Sequence, residues 1–129
     1  MSTIPGHHQF MQAGCMSCHN GRDIGGQTFQ KPGAKKAAPD GKDVGRMAVT
    51  GDTADRLMFK VPSLRNVEKT GPYFHTGKVA TVQEAVRLMG EFQLDRKLDD
   101  HQIAEIVAWL KTLTGEIPAD YIRQPDLPQ

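Results

Sequence analysis

Gly14-Cys15-Met16-Ser17-Cys18-His19 is the stretch on which the reading of this chain turns. Two thiols three positions apart, followed at once by an imidazole, form the C-x-x-C-H attachment signal for haem c. The chemistry explains the spacing. At the start of a helical turn, both thiols reach the two vinyl groups of one porphyrin, and the adjacent imidazole points at the iron as proximal ligand. Two rival readings are a thioredoxin-like redox pair and half of a zinc site. The first needs a strand before the motif and a βαβ setting, which the sequence lacks. The second needs a further ligand cluster, and the chain has 2 cysteines in all. Cys15, Cys18 and His19 are therefore the expected cofactor-binding residues, with His19 on the iron.

Composition bounds the rest. The 129 residues fit one domain, and a net charge of +1 excludes a large basic field for nucleic acid or an acidic membrane. With 2 cysteines a disulfide-stapled scaffold is excluded as well. No apolar run approaches the roughly 20 residues of a membrane span. The first ten residues lack the basic and apolar regions of a signal peptide. Hydrophobic residues are 38% of the chain, so a core is expected, while 13 glycines and 8 prolines predict much loop.

Three helices are expected. The first runs from about Gly6 to Gly14, with Phe10 and Met11 as its apolar side, straight into the cysteine motif. The second begins at Thr81, with Glu84 three residues on as a capping box, and Gly90 is its expected stop. Val82, Ala85, Val86 and Met89 recur along it at helical spacing. The third opens at Asp99 with Gln102 three residues on. Ile103, Ile106, Val107, Leu110 and Leu113 make its apolar face, and Gly115 and Pro118 end it. The middle, residues 20–60, is full of turn signals: Gly25-Gly26, Pro32-Gly33, Pro39-Asp40-Gly41 and Gly45. Short extended pieces are expected near Met47 to Thr50 and Leu57 to Val61, and a bound cofactor would give this long stretch something to pack on. The tail from Pro118 is expected on the surface.

A sixth iron ligand sets what such a haem does. A Met thioether raises the potential and suits electron transfer, whereas an open position suits peroxide chemistry. Met16 lies between the two thioether links, and Met11 lies one turn before them on the same side. Met47, Met58 and Met89 remain, and spacing does not choose among them. A lone Met on an apolar helix face is as readily core. His75, in Gly71-Pro72-Tyr73-Phe74-His75-Thr76-Gly77, is the rival ligand; otherwise it bonds backbone or a haem propionate. His7, His8 and His101 read as exposed helix residues. Arg46 and Arg65 are candidate propionate partners or loop-fixing arginines. Lys31, Lys35 and Lys36 form either a docking patch for an acidic partner or a solvated loop.

Several blocks occur in one order. They are Gly14 to Gly21, Gly25-Gly26-Gln27, Gly45-Arg46-Met47-Ala48-Val49-Thr50, Phe59-Lys60-Val61-Pro62-Ser63-Leu64-Arg65-Asn66-Val67, and Thr70 to Gly77. Glu84-Ala85-Val86-Arg87-Leu88-Met89 and Leu113-Thr114-Gly115 close the set. Together they resemble the C-terminal, electron-transferring haem domain of the bacterial di-haem cytochrome c peroxidase and MauG family. The resemblance implies a mostly α, cytochrome c-like domain over residues 1–129, with about 6–118 matching and 119–129 as a tail. It implies a high-potential haem that takes electrons from a small cytochrome or copper protein. That haem would pass them to a second haem domain, where hydrogen peroxide is reduced. It places the axial methionine on Met89, treats Met58 as packing, and puts His75 near the haem without being its ligand. MauG-type members carry Tyr at the position of Met89, so the peroxidase branch is the nearer match. An interdomain calcium would use backbone oxygens of Thr70 and Pro72. The N-terminal haem domain, the bridging tryptophan and the calcium-binding asparagine side chain have no counterpart here. The expected function is thus a His19/Met89 electron-transfer domain, whole or part of a longer protein, with a peroxidase or part of one as the alternative. A redox-inert structural haem domain is the third reading. Haem attachment belongs to the periplasm, so the expected location is periplasmic with a signal peptide removed or trimmed.

Overall fold

The last helix shows most directly how this sequence folds. Asp99 accepts the backbone N–H of Gln102 at 2.8 Å, and the Gln102 side chain accepts that of Asp99 at 3.0 Å, a closed capping box. From it runs α4, Asp100–Lys111, with Ile103, Ile106, Val107 and Leu110 all buried on the expected face. Each such side chain contributes roughly 1.5–3 kcal/mol by leaving water. The computed structural model describes residues 4–36 and 42–128, so the Pro39-Asp40-Gly41 turn lies outside the described residues.

Against α4 lies α1, Ile4–Ala13, which buries Gly6, Phe10 and Ala13. The two helices touch at the backbone. A Cβ at Gly6 would collide with the Glu105 carbonyl oxygen and come within 2.7 Å of Trp109 Cβ. Met11 was expected on the buried side, but it is 42% exposed, because the α1 stripe that meets α4 runs through Gly6, Phe10 and Ala13. His7, expected to be exposed, is half-buried with its ring 5.2 Å from that of Trp109. Leu64, Val67, Val82 and Leu98 complete the core.

The middle is a chain of turns tied by a small ribbon. Strands β1, Phe29–Gln30, and β2, Phe59–Lys60, pair antiparallel with Phe29 opposite Lys60. Between them Met47–Thr50 forms a helical turn, α2, and not the extended piece expected. The reason is local: the N–H groups of Ala48, Val49 and Thr50 close onto the carbonyls of Gly45 and Arg46.

Helix α3, Val82–Leu88, starts where expected, with the Thr81 hydroxyl accepting the Glu84 N–H at 3.2 Å. Half the box is missing, because the Glu84 carboxylate turns to Arg87 at 3.3 Å. Gly90 does not stop the helix. Instead α3 widens into a π-helical turn, Met89–Gln93. Gly90 serves close approach: a Cβ there would lie 3.0 Å from Leu98 Cδ1 and 3.1 Å from the Arg96 carbonyl oxygen. The Arg96 N–H bonds the Gly90 carbonyl at 2.8 Å. Beyond α4, residues 115–128 are exposed throughout, as expected of the tail.

Candidate haem site

The cysteine motif forms a single 3-10 turn, Cys15–Ser17, directly after α1. Gly14, at φ 100°, breaks the helix and turns the chain. The N–H groups of Cys18 and His19 then both bond the Cys15 carbonyl, at 3.3 and 3.0 Å. This tight turn presents two free thiols and the imidazole within one short arc. Asn20 fastens the far end by donating to the Met16 carbonyl at 3.1 Å. Burial pushes the Cys15 thiol up to about 11, partly offset by a backbone hydrogen bond and then by the nearby Arg96 guanidinium. Cys15 is therefore a neutral thiol at neutral pH.

His19 is the most informative side chain. Burial pulls its pKa below the ordinary value, so it is a neutral imidazole, the form that binds metal. The carbonyls of Ile24 and Pro62 face the ring and favour its charged form, but burial outweighs them. Neither carbonyl meets full hydrogen-bond geometry, so Nδ1 is buried without a satisfied bond. A metal-bound histidine characteristically directs its second nitrogen at a backbone carbonyl. Nδ1 is the nitrogen buried beside Gly25, so Nε2 is the nitrogen left for iron. Gly25 makes this arrangement sterically feasible. A Cβ on it would collide with the Pro62 carbonyl oxygen and stand 3.2 Å from His19 Nδ1. Gly25 and Pro62 line the His19 ring, a closeness that sequence reading missed. The double glycine signalled a turn, not a close approach. The donor set thus fits a covalently attached haem: Cys15 and Cys18 for the thioethers and His19 for the iron.

Met89 is half-buried at the junction of α3 and the π-helical turn. Its N–H is shared between the carbonyls of Ala85 and Val86. The segment that follows returns to the cysteine motif. Leu94 packs on the same core as Cys15, and its Cδ2 would meet a Cβ on Gly14 at 3.6 Å. Arg96 is close enough to act on the Cys15 thiol. Met58 and Gly45 form an isolated bridge, and Met47 opens α2, so both belong to the loop scaffold.

The remaining candidates separate clearly. His75 stacks on Phe59, ring centroids 4.0 Å apart and planes at 19°, at the tip of the turn closed by Tyr73 and Val79. Arg46 pairs with Asp55 at 3.0 Å and lies over the Phe29 ring, 4.5 Å from its centroid. Arg65 donates from Nε to the Arg22 carbonyl at 2.9 Å and lies 3.8 Å from Asp23. Through these contacts both arginines tie loop segments together. His101 is exposed and faces Glu105 at 3.8 Å, and His8 is exposed. The lysine loop is not loose: the N–H groups of Lys35 and Lys36 bond the Phe92 carbonyl, and Lys36 pairs with Asp95 at 3.3 Å. Thr70 Oγ1 donates to the Val67 carbonyl, and Pro72 follows a cis peptide bond. Nothing gathered at Thr70 and Pro72 supports a calcium site, and no group of three His, Cys, Asp or Glu side chains suited to a metal occurs among the described residues.

The sequence pattern of the cytochrome c family matches residues 4–114. Cytochrome c551 peroxidase of Nitrosomonas europaea is 48% identical over 116 residues, which cover 89% of this chain and 35% of that protein. Cytochrome c551 peroxidase of Pseudomonas aeruginosa is 42% identical, over 92% of this chain and 35% of the relative. Methylamine utilization protein MauG of Methylorubrum extorquens is 31% identical, over 91% and 35%. A solved structure of a MauG-like protein associated with microbial copper homeostasis superimposes with TM-score 0.72 at 27% identity, covering 88% of this chain and 47% of that one. The chain spans about a third of the length of the curated relatives it matches, since 35% of each is covered.

Proposed function

This chain belongs to the cytochrome c family, has its mostly helical fold, and is homologous to cytochrome c peroxidases and MauG; on that premise we propose that residues 1–129 form one electron-transfer domain. Its haem iron is held by His19 and Met89. The observation that carries this reading is the buried, neutral His19, placed directly after the two free thiols and backed by the Pro62 and Ile24 carbonyls. The haem supplies one-electron redox chemistry when bound. The chain's own residues do the rest. Cys15 and Cys18 would anchor the group, and His19, packed beside Gly25, would bind its iron. Cys15 packs against the core formed by α1 and α4.

Ligation by Met89 is tested by Met89→Ala in the haem-loaded protein. The expected result is loss of the methionine-to-iron charge-transfer band and a lower midpoint potential. Survival of the band in this variant, with its loss in Met58→Ala, assigns the ligand to Met58 and refutes the reading.

The second reading is part of a hydrogen peroxide-reducing enzyme, favoured by the 48% and 42% identity to proteins named as peroxidases. The partners are then a small redox protein as electron donor and a second haem domain, and the site of action is the periplasm. Titration with cyanide and peroxide separates the two functions for this domain. A His/Met iron resists both, because peroxide needs an open coordination position.

A further inference from the structure

We propose that Gln93 is a positioning residue for Met89, clamping the π-helical turn against the loop that carries Pro32-Gly33. The inference rests on the reading of Met89 as iron ligand.

The clamp is made by one amide used at both ends. Gln93 Oε1 accepts the Gly33 N–H at 2.9 Å and lies 3.4 Å from the Ala34 nitrogen, while Nε2 donates to the Lys31 carbonyl at 3.1 Å. Beside it the Phe92 carbonyl accepts the N–H groups of Lys35 and Lys36 at 3.1 and 3.0 Å. Lys36 reaches Asp95 at 3.3 Å. All these contacts join residues 31–36 to residues 92–95. Only an amide side chain offers an acceptor and a donor together in this way. Glutamate would keep the acceptor and set a charged oxygen against the Lys31 carbonyl.

The π-helical turn is the reason the clamp matters for iron. A π turn carries one residue more than the α-helix it interrupts and is rarely adopted without outside support. Its two flanks are fixed in the core, through Val82 in α3 on one side and Leu98 on the other. Met89 and Gln93 are the first and last residues of the turn between them. Return to α geometry would rotate one flank by about 100° relative to the other, the angle of one helical residue. Gln93 and the Phe92 carbonyl hold the wide form from outside and so fix the direction in which Met89 leaves the helix.

The test uses haem-loaded protein and imidazole as a competitor for the methionine position. Gln93→Ala is expected to bind imidazole about tenfold more tightly than wild type, the order that loss of one or two ordinary hydrogen bonds gives. It should also weaken the methionine charge-transfer band. Gln93→Glu should fall between the two, and it carries the test by the same criterion if Gln93→Ala does not assemble. Asp99→Ala, which loses the α4 cap on Gln102 and none of the contacts between residues 31–36 and 92–95, controls for general loss of stability and should match wild type in imidazole affinity. Equal imidazole affinity in the Gln93 and Asp99 variants overturns the clamp. If Met89→Ala retains the band, the ligand reading itself has failed, and the inference falls with it. If Met89→Ala loses the band while Gln93→Ala behaves as wild type, the clamp alone is refuted.

Discussion

Adjacent glycines separate the cost of backbone strain from the cost of crowding His19. Gly25 and Gly26 both sit at positive φ, 125° and 86°. An alanine at either therefore pays for a left-handed backbone, about 1–2 kcal/mol. Only Gly25 pays more. A Cβ at Gly26 meets nothing within 4 Å, whereas at Gly25 it collides with the Pro62 carbonyl oxygen and crowds His19 Nδ1 at 3.2 Å. Overpacking of this kind adds about 1–3 kcal/mol. The expected loss is thus about 2–5 kcal/mol for Gly25→Ala and about 1–2 kcal/mol for Gly26→Ala. Urea unfolding of the haem-loaded proteins measures both. At an m-value of about 1–3 kcal/mol/M the extra loss lowers the midpoint of Gly25→Ala by roughly a further 1 M. A second readout follows the chemistry. Pushing the Pro62 carbonyl away from Nδ1 lowers the basicity of the imidazole and so favours the ferrous state. The midpoint potential should rise in Gly25→Ala and not in Gly26→Ala. Equal losses of stability with unchanged potentials would refute the account of the proximal shell.

Further expectations concern the scaffold. Ile106 is 1% exposed, and Ile106→Ala should cost about 2–5 kcal/mol in the same urea assay. Asp99→Ala removes one side of the α4 capping box and should cost about 1 kcal/mol without altering the haem spectrum. Tyr73 donates to the Val67 carbonyl at 2.9 Å, so Tyr73→Phe should cost about 1 kcal/mol at neutral pH. Burial, with the Glu68 carboxylate, raises the Tyr73 pKa above its ordinary 10.0. A raised folded pKa means stability that is full below 10.0 and lost as the pH climbs through the folded value. Unfolding curves of wild type and Tyr73→Phe should therefore converge in strong alkali.

How much was legible in the sequence depended on the range of the interactions involved. The α4 face from Ile103 to Leu110 and the N-caps Thr81 and Asp99 are local patterns that the structure matches, whereas Leu113 lies beyond α4 and the Thr81 box lacks its Glu84 half. Gly90 was misjudged because its role lies across space: it admits Leu98 and the Arg96 carbonyl, and a stop signal looks the same in sequence. Met47–Thr50 is helical and not extended because its N–H groups close on the Gly45 and Arg46 carbonyls, a choice that the turn signals around it do not make. Gln93 carries no signal at all. Its partners are some sixty positions away, |i−j| 60 for Gly33 and 62 for Lys31. The positions read from resemblance, such as Met89 and His75, could be named but not placed, since motif order contains no distances.

These differences in range imply a division of labour that can be argued physically. Side-chain burial holds α1, α4 and the residues beneath the cysteine motif, where Phe10 packs 4.7 Å from Trp109 and 6.3 Å from the His19 ring. Among the described residues of the middle, backbone contacts tie the loops as well. Examples are Gly26 N–H to the Val61 carbonyl, Val61 N–H to the Thr28 carbonyl and Arg46 N–H to the Met58 carbonyl, all at 2.8 Å. Apolar packing is nondirectional and additive with area, so a core substitution lowers stability while leaving the motif's geometry in place. Hydrogen bonds are directional, so losing one turns a loop without unfolding the domain. Substitutions at Ile106 should consequently move stability far more than potential, whereas substitutions at Gly25 and Gln93 should move potential or ligand exchange as well as stability.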